Sequence, residues 1–309
     1  MRCLVTGGCG FIGSHLAECL VEEGHAVRIY DNLSSGHERN IDGFRDRVEV
    51  IIGDVRDPDA LRAAMRGVEC VFHEAALVSV FDSVERPREN HDINITGTLN
   101  VLMASREQGV RRVILASSAA VYGNNPQLPK TEDMRPEPAS PYALAKICDE
   151  YYLSVFAQLY GVETVSLRYF NVYGPRQDPA SMYSGVISKF TDVIRSGQNP
   201  TVYGDGCQTR DFVFVADVVR ANLLAMRAPL LGHGEVFNVG TGRQISLLDL
   251  LAILKELTGS QFTVQFREAR KGDVRHSVAD ITKARQMLGY NPQYDIRAGL
   301  AALLKAQGG

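Results

Sequence analysis

The sequence predicts an α/β fold: a doubly wound parallel sheet covered by helices on both faces, with a smaller, discontinuous α/β lobe. Three observations predict it. Short runs of β-branched and apolar residues alternate with helical segments through the first half of the chain. A glycine-rich turn, Thr6-Gly7-Gly8-Cys9-Gly10-Phe11-Ile12-Gly13, joins the first such run to the first helix. Beyond Tyr169 the alternation breaks, and residues 172–211 are rich in Gly, Pro, Asp and Tyr.

Cys3-Leu4-Val5 opens the sheet, and a helix over residues 12–23 stops before Gly24. Residues 26–30, 48–52, 70–73, 113–116 and 164–167 read as the next strands, with helices between them, the clearest at 90–108 and 141–159. A helix is expected at 185–196. Residues 212–227 and 236–239 read as a return to the sheet, and 241–309 supply two or three helices with a short strand at 262–266. The expected division is a nucleotide-binding domain of residues 1–171 and 212–240, with a substrate lobe of 172–211 and 241–309.

With 309 residues the chain has room for two lobes sharing a cleft. A net charge of −3 gives no footprint for nucleic acid or an anionic membrane. No apolar run approaches the ~18 residues of a membrane span. The six cysteines form no Cys-x2-Cys pair and no cluster with histidine, so no metal site is expected and they read as reduced thiols. Strand-like residues from position 2 argue against a signal peptide and for a cytoplasmic protein, which makes the Asn94-Ile95-Thr96 sequon an accident.

The strand–turn–helix setting of residues 6–13 suits a pyrophosphate: glycines permit a tight turn and close approach, and the helix N-terminus attracts the charge. Asp31 ends the second strand 18 residues after Gly13. A carboxylate there accepts hydrogen bonds from the adenosine ribose and repels a 2′-phosphate, which favours NAD over NADP. Asp54 and Val55, past the third strand, are placed to bracket the adenine. Ala75 and Ala76, past the fourth, offer small side chains where a cofactor would cross the sheet edge.

Ser-Pro-Tyr-Ala-Leu-Ala-Lys (140–146) puts Tyr142 and Lys146 on one helix face, a turn apart. A free phenol titrates near ~10. An ammonium beside it favours the anion, so such a pair moves a proton on and off an alcohol.

Thr6–Gly13, Asp31, Asp54, Ser118, Tyr142 and Lys146 together resemble the extended short-chain dehydrogenase/reductase superfamily, with its Rossmann-like fold. The closer likeness is to nucleotide-sugar epimerases of the UDP-galactose 4-epimerase type. It covers nearly the whole chain, including Arg168-Tyr169-Phe170-Asn171-Val172-Tyr173-Gly174-Pro175-Arg176-Gln177, Gly204-Asp205-Gly206 with Thr209-Arg210-Asp211-Phe212, and Phe237-Asn238-Val239-Gly240-Thr241-Gly242. The resemblance implies that Tyr142 takes the sugar 4-hydroxyl proton while the C4 hydride passes to bound NAD. The 4-keto sugar then turns over and the hydride returns to its other face. Lys146 would hold the nicotinamide ribose and favour the phenolate; Ser118 would bond the reacting oxygen. Further cofactor contacts are implied for Gly7, Gly10, Phe11, Ile12, Gly13, Asn32, Ser34, Ser35, Gly36, Asn94, Ser117 and Phe170.

Related dehydratases and decarboxylases carry an acidic residue near this serine. Here Ala119 and Ala120 follow Ser118, and alanine transfers no proton, which favours plain epimerisation. For the UDP-sugar the resemblance implies Asn171, Val186, Thr201, Val202, Tyr203, Arg210, Arg270 and Asp273. Ser277 lies where epimerases restricted to UDP-glucose and UDP-galactose tend to carry tyrosine. A serine leaves room for an N-acetyl group, so UDP-N-acetylglucosamine and UDP-N-acetylgalactosamine are expected as substrates beside the plain hexoses. Hexuronate-specific relatives often continue the Gly-Pro-Arg-Gln run with Arg-Pro; here it is Asp178-Pro179, which gives a sugar carboxylate no partner. A glucuronate epimerase, a dehydratase or reductase on the same fold, and a non-enzymatic NAD-binding regulator are the alternatives. The resemblance also implies a homodimer formed through the helices at 90–108 and 141–159, with Tyr151, Leu153, Val155, Phe156 and Leu159 as apolar surface.

Overall fold

A computed structural model describes residues 1–178, 185–229, 233–269 and 274–308. Among these the strands are β1 (Arg2–Thr6), β2 (Ala26–Asp31), β3 (Val48–Ile52), β4 (Cys70–His73), β5 (Arg112–Ser118), β6 (Glu163–Tyr169), β7 (Asn171–Tyr173), β8 (Thr201–Tyr203), β9 (Thr209–Arg210), β10 (Phe212–Phe214), β11 (His233–Val239), β12 (Ile245–Ser246) and β13 (Gln265–Arg267). The helices are α1 (Phe11–Glu22), α2 (Pro58–Ala64), α3 (Val80–Glu85), α4 (Pro87–Asn90), α5 (Gly97–Gln108), α6 (Pro141–Tyr160), α7 (Val186–Arg195), α8 (Val215–Arg227), α9 (Leu247–Thr258), α10 (Thr282–Leu288) and α11 (Ile296–Gln307).

The main sheet is parallel throughout, in the order β11-β6-β5-β4-β1-β2-β3. Its centre is apolar on both faces, as a parallel sheet between two helical layers requires. Along β1, Cys3 and Val5 face a core shared with Leu16 and Leu20 of α1 and Val218 of α8. Leu4, between them, faces the opposite core with Leu61 of α2, Leu102 of α5 and Phe156 of α6. The order in which strands are added reverses between β1 and β4, and such a switch point opens a crevice at the carboxyl ends of the strands. A third core joins Ile187 and Phe190 of α7, Val202 of β8, Leu250 and Leu254 of α9, and Leu300 of α11 in the smaller lobe.

Three elements differ from the sequence expectation. Of residues 212–227, only Phe212–Phe214 is strand, and it pairs with β7 instead of the main sheet. Val215–Arg227 is helical and packs on α1. Val215, Val218, Val219 and Met226 recur at helical spacing, and that period outweighs their β-branched content. The helix expected at 90–108 is broken: α4 passes into a π-helical turn, His91–Thr96, before α5 begins. The short strand expected at 262–266 lies at Gln265–Arg267, parallel to β8. No helix among the described residues is long and apolar enough to cross a membrane.

Candidate active site

The glycine turn is shaped by close backbone approach. Gly7 has φ of +68°, and a Cβ there would lie 2.8 Å from the backbone nitrogen of Ala75. A Cβ on Gly13 would run into the Gly7 carbonyl oxygen. Gly10 begins α1 with no side chain capping the first turn, so the helix N-terminus faces the crevice with backbone N–H groups unclaimed by a cap. Phe11 and Ile12 pack down into the cores.

Asp31 is buried at the end of β2 and is part of the turn itself. Its Oδ2 accepts the Cys9 N–H (2.9 Å) and its Oδ1 the Leu33 N–H (2.8 Å). Gly36 packs against Cys9, and Ser34 and Ser35 are exposed at the mouth. Asn32 donates to Asp54 (2.9 Å), whose carboxylate also pairs with Arg56 (2.6 Å). The Arg56 hydrogen bonds hold the Asp54 carboxyl well below the usual carboxylate range. Val55, expected beside the adenine, instead buries its side chain against Gly97 of α5.

Past β4, residues 74–77 are pinned from beneath. Asn94 accepts the Leu77 N–H (2.8 Å) and donates to the Leu77 carbonyl (3.1 Å), so its side chain fixes this loop. Thr98 donates to the Asn94 carbonyl (2.6 Å) and thus accepts from His73 Nε2 (3.0 Å). His73 Nδ1 then accepts from Thr6 (2.7 Å), whose oxygen receives the Ala75 N–H (3.3 Å). Burial, with Lys146 nearby, pushes His73 down to about 3, which keeps it neutral. Ala75 and Ala76 are half-buried where the loop meets Gly7.

On α6, Ser140 caps the helix by accepting the Ala143 N–H (3.2 Å), and Pro141 occupies the first turn. Tyr142 (9% exposed) and Lys146 (2% exposed) follow in the first two turns, and Lys146 acts electrostatically on His73 and Glu74 at the end of β4. Ser118 ends β5, its Oγ accepting the Ala120 N–H (3.2 Å), and the turn of Ala119–Tyr122 packs against α6. Ser117 points the other way: its hydroxyl donates to Glu150, which is held by Arg168 Nε and Nη2 (2.9 and 2.7 Å). The Phe170 ring is likewise in the core, beside Tyr122. The side chains of Ser117 and Phe170, both expected at the cofactor, are thus buried among protein groups.

Two acids beside the lysine, Glu74 half-buried and Asp149 fully buried, escaped the sequence reading. Glu74 accepts from Tyr169 (2.8 Å), which accepts from Asn222 (2.7 Å), and burial pushes its carboxyl up to about 7. Asp149 lies 4.0 Å from Lys146 Nζ and is fully buried. The available signals were an acid directly before the small pair Ala75-Ala76 and another three residues beyond Lys146.

Across the crevice, Arg210 is half-buried and donates to the Thr209 (2.9 Å) and Arg275 (3.3 Å) carbonyls. Its neighbour Asp211 is buried and accepts from the Thr241 N–H and hydroxyl, the Gly242 N–H and the Ala279 N–H. Ser277, half-buried, donates its N–H to the Thr209 carbonyl (3.2 Å), so it stands beside Arg210. Asn171 is exposed at the start of β7, and Val186 is half-buried at the start of α7. Thr201 and Tyr203 flank Val202, which is in the lobe's core. Arg270 and Asp273 lie outside the described residues. Arg176 ties the lobe to α1 through Glu18 (2.5 Å), and His15 donates to the Pro175 carbonyl (2.9 Å).

The ammonium of Lys146 reaches Glu74, on the loop against which Gly7 packs, and a phenol one helical turn away from such a cation is the chemistry that exchanges a proton with an alcohol. The whole chain is similar to known nucleotide-sugar epimerases. A putative UDP-glucose 4-epimerase of Methanocaldococcus jannaschii is 42% identical over 96% of this chain and 95% of its own. The crystal structure of a Thermotoga maritima UDP-glucose 4-epimerase with UDP-glucose superposes with a TM-score of 0.95 at 41% identity, covering 100% of this chain and 99% of that one. A UDP-N-acetylglucosamine 4-epimerase from Methanobrevibacter ruminantium, in complex with UDP-N-acetylmuramic acid, gives 0.94 at 38% identity over 99% and 97%. Residues 3–240 match the model of the NAD dependent epimerase/dehydratase family, and the chain belongs to that family.

Proposed function

We propose that the protein interconverts UDP-hexoses at C4, acting on UDP-N-acetylglucosamine and UDP-N-acetylgalactosamine and on UDP-glucose and UDP-galactose. One observation carries the reading: Tyr142 and Lys146 lie buried one turn apart on α6, with Lys146 acting on His73 and Glu74 at the end of β4. The cofactor is NAD. The residues fit it, since Gly7 and Gly13 leave no room for a side chain where the backbone must approach a pyrophosphate.

Bound NAD supplies a reversible two-electron acceptor for C4. Tyr142 removes the proton from the 4-hydroxyl and returns it after the sugar has turned over. Lys146 holds the nicotinamide ribose and stabilises the phenolate, and Ser118 hydrogen-bonds the reacting oxygen. Asp31 positions the adenosine ribose. Ala119 and Ala120 offer no group that protonates a leaving hydroxyl, which sets elimination aside. The lobe formed by residues 172–211 and 241–309 binds UDP, with Arg210 and Arg270 against the pyrophosphate, Thr201–Tyr203 and Val186 along the uridine, Asp273 at its ribose and Asn171 near the sugar. The small Ser277 beside Arg210 leaves space at C2 for an acetamido group. A glucuronate substrate is disfavoured, because Asp178 puts an acid, facing His37 at 3.4 Å, where a sugar carboxylate needs a cation.

A homodimer fits the exterior of α6. Leu144, Tyr151, Val155 and Leu159 are exposed along one stripe, whereas Leu153 and Phe156, expected on that surface, lie under the helix in its own core. The assay is direct: purified protein with NAD is given UDP-glucose, UDP-N-acetylglucosamine and UDP-glucuronate in turn, and anomeric proton signals are followed. The matching C4 epimer should form from the first two. Lasting NADH accumulation or release of a 4-keto sugar overturns the proposal.

A further inference from the structure

Lys146 shares its enclosure with a carboxylate that no other group satisfies. Asp149 is 0% exposed, and neither of its oxygens receives a hydrogen bond among the described residues. Thr98 of α5 lies against it, but the single Thr98 hydroxyl proton goes to the Asn94 carbonyl. The charged and titratable groups facing Asp149 are Lys146, Cys148 and Glu150 of its own helix. His73 of β4 stands one hydrogen bond further, through Thr98. Glu74, on the loop after β4, feels the same ammonium. A buried carboxylate without N–H donors is costly, and the Lys146 ammonium is what offsets it.

We propose that Asp149 is a positioning residue for the reaction: its carboxylate is the counter-charge that holds the Lys146 ammonium beside Tyr142, and protonation of that carboxylate releases the hold and slows turnover. The inference rests on Lys146 lying at the reacting centre, as proposed above. Burial outweighs the attraction of Lys146 and pushes Asp149 up to about 7, so the hold is made and lost within the ordinary working range. Above that range the Asp149 carboxylate is ionised and Lys146 is fixed. Below it the neutral acid offers no charge to hold the ammonium.

Two measurements on the holoenzyme test this. First, kcat and KM are followed from about pH 5.5 to about 9 for wild type and Asp149→Asn. Wild-type kcat should fall as pH drops through about 7, while the variant stays near the wild-type acid level throughout. At alkaline pH this is a loss of roughly tenfold, with KM changed less than about twofold. Second, carbon-13 spectra of protein labelled at the aspartate γ-carbons should show one signal titrating near neutrality, absent from Asp149→Asn. Lys146→Met should move that signal to higher pH, because the ammonium is what lowers it. An Asn variant with wild-type kcat and an unchanged acid limb overturns the proposal, as does a carboxyl signal indifferent to Lys146→Met. Should wild type convert no UDP-sugar, the proposed function fails, and the carbon-13 measurement still decides whether the pair exists. It decides equally if Asp149→Asn does not fold.

Discussion

Asp31 clamps the glycine turn: its Oδ2 accepts the Cys9 N–H at 2.9 Å from the strand beneath. With Oδ1 on Leu33 N–H, the carboxylate holds both the turn and the backbone that follows β2, and each oxygen keeps a lone pair for a ribose hydroxyl. In the proposed function cofactor choice and turn geometry are therefore joined in one side chain. Replacing Asp31 with Ala strips the acceptor from both N–H groups, each loss costing about 1–3 kcal/mol where buried. Melting temperature should fall by several degrees, on the order expected for that loss, and NAD affinity should drop with it. Removing the acid should not create an NADP enzyme, because the turn it shaped is lost. Calorimetric titration showing NADP bound as tightly as wild type binds NAD would refute this.

Tyr142→Phe removes a single oxygen at a position that is 9% exposed, so packing should hold. Loss of the proton acceptor should lower kcat by roughly a hundredfold or more, while NAD stays bound and the melting temperature stays near that of wild type. Retained turnover in the Phe variant would take Tyr142 out of the reaction.

Much of this site was legible in the sequence because backbone rules dictate it. Gly7 and Gly13 announce close approach, and Ser140-Pro141 announces a helix start that fixes where Tyr142 and Lys146 sit. Alternation of strand and helix likewise gives the sheet from β1 to β6. What stayed hidden depends on which way a side chain faces in three dimensions. Ser117 and Ser118 are adjacent on β5, and the pleat sends one to Glu150 and leaves the other at the crevice. Leu153 and Phe156 read as available surface, and Val55 and Phe170 as cofactor contacts, but all four side chains are buried. Asp149 looks like any helical acid until Lys146 and Thr98 are seen around it.

Ser277 donates its N–H to the Thr209 carbonyl beside Arg210, and in the proposed function its short side chain is what admits the acetamido group. Ser277→Tyr fills the place of that group without touching the backbone bond. Catalytic efficiency on UDP-N-acetylglucosamine should fall at least about tenfold more than on UDP-glucose, since the larger side chain competes with the acetamido group alone. Competing-substrate kinetics would check this, and equal losses on both sugars would remove Ser277 as the size determinant.

The buried acid beside Lys146 also has a stability consequence with a definite sign. Asp149 is raised from its ordinary 3.8 to about 7 on folding. A carboxyl shifted upward favours the folded state most when it is protonated in both states, below about 4. That contribution is lost as pH climbs through about 7, because the unfolded chain gives up its proton first. Asn at this position imitates the protonated acid at every pH. Wild type and Asp149→Asn should therefore melt alike near pH ~4, and the variant should melt progressively higher as pH rises to about 8. A constant difference across that range, or a variant less stable at alkaline pH, would contradict the shift. If the gain in stability accompanies the loss of turnover described for the same substitution, Asp149 is retained for the lysine it restrains and at a cost to the fold.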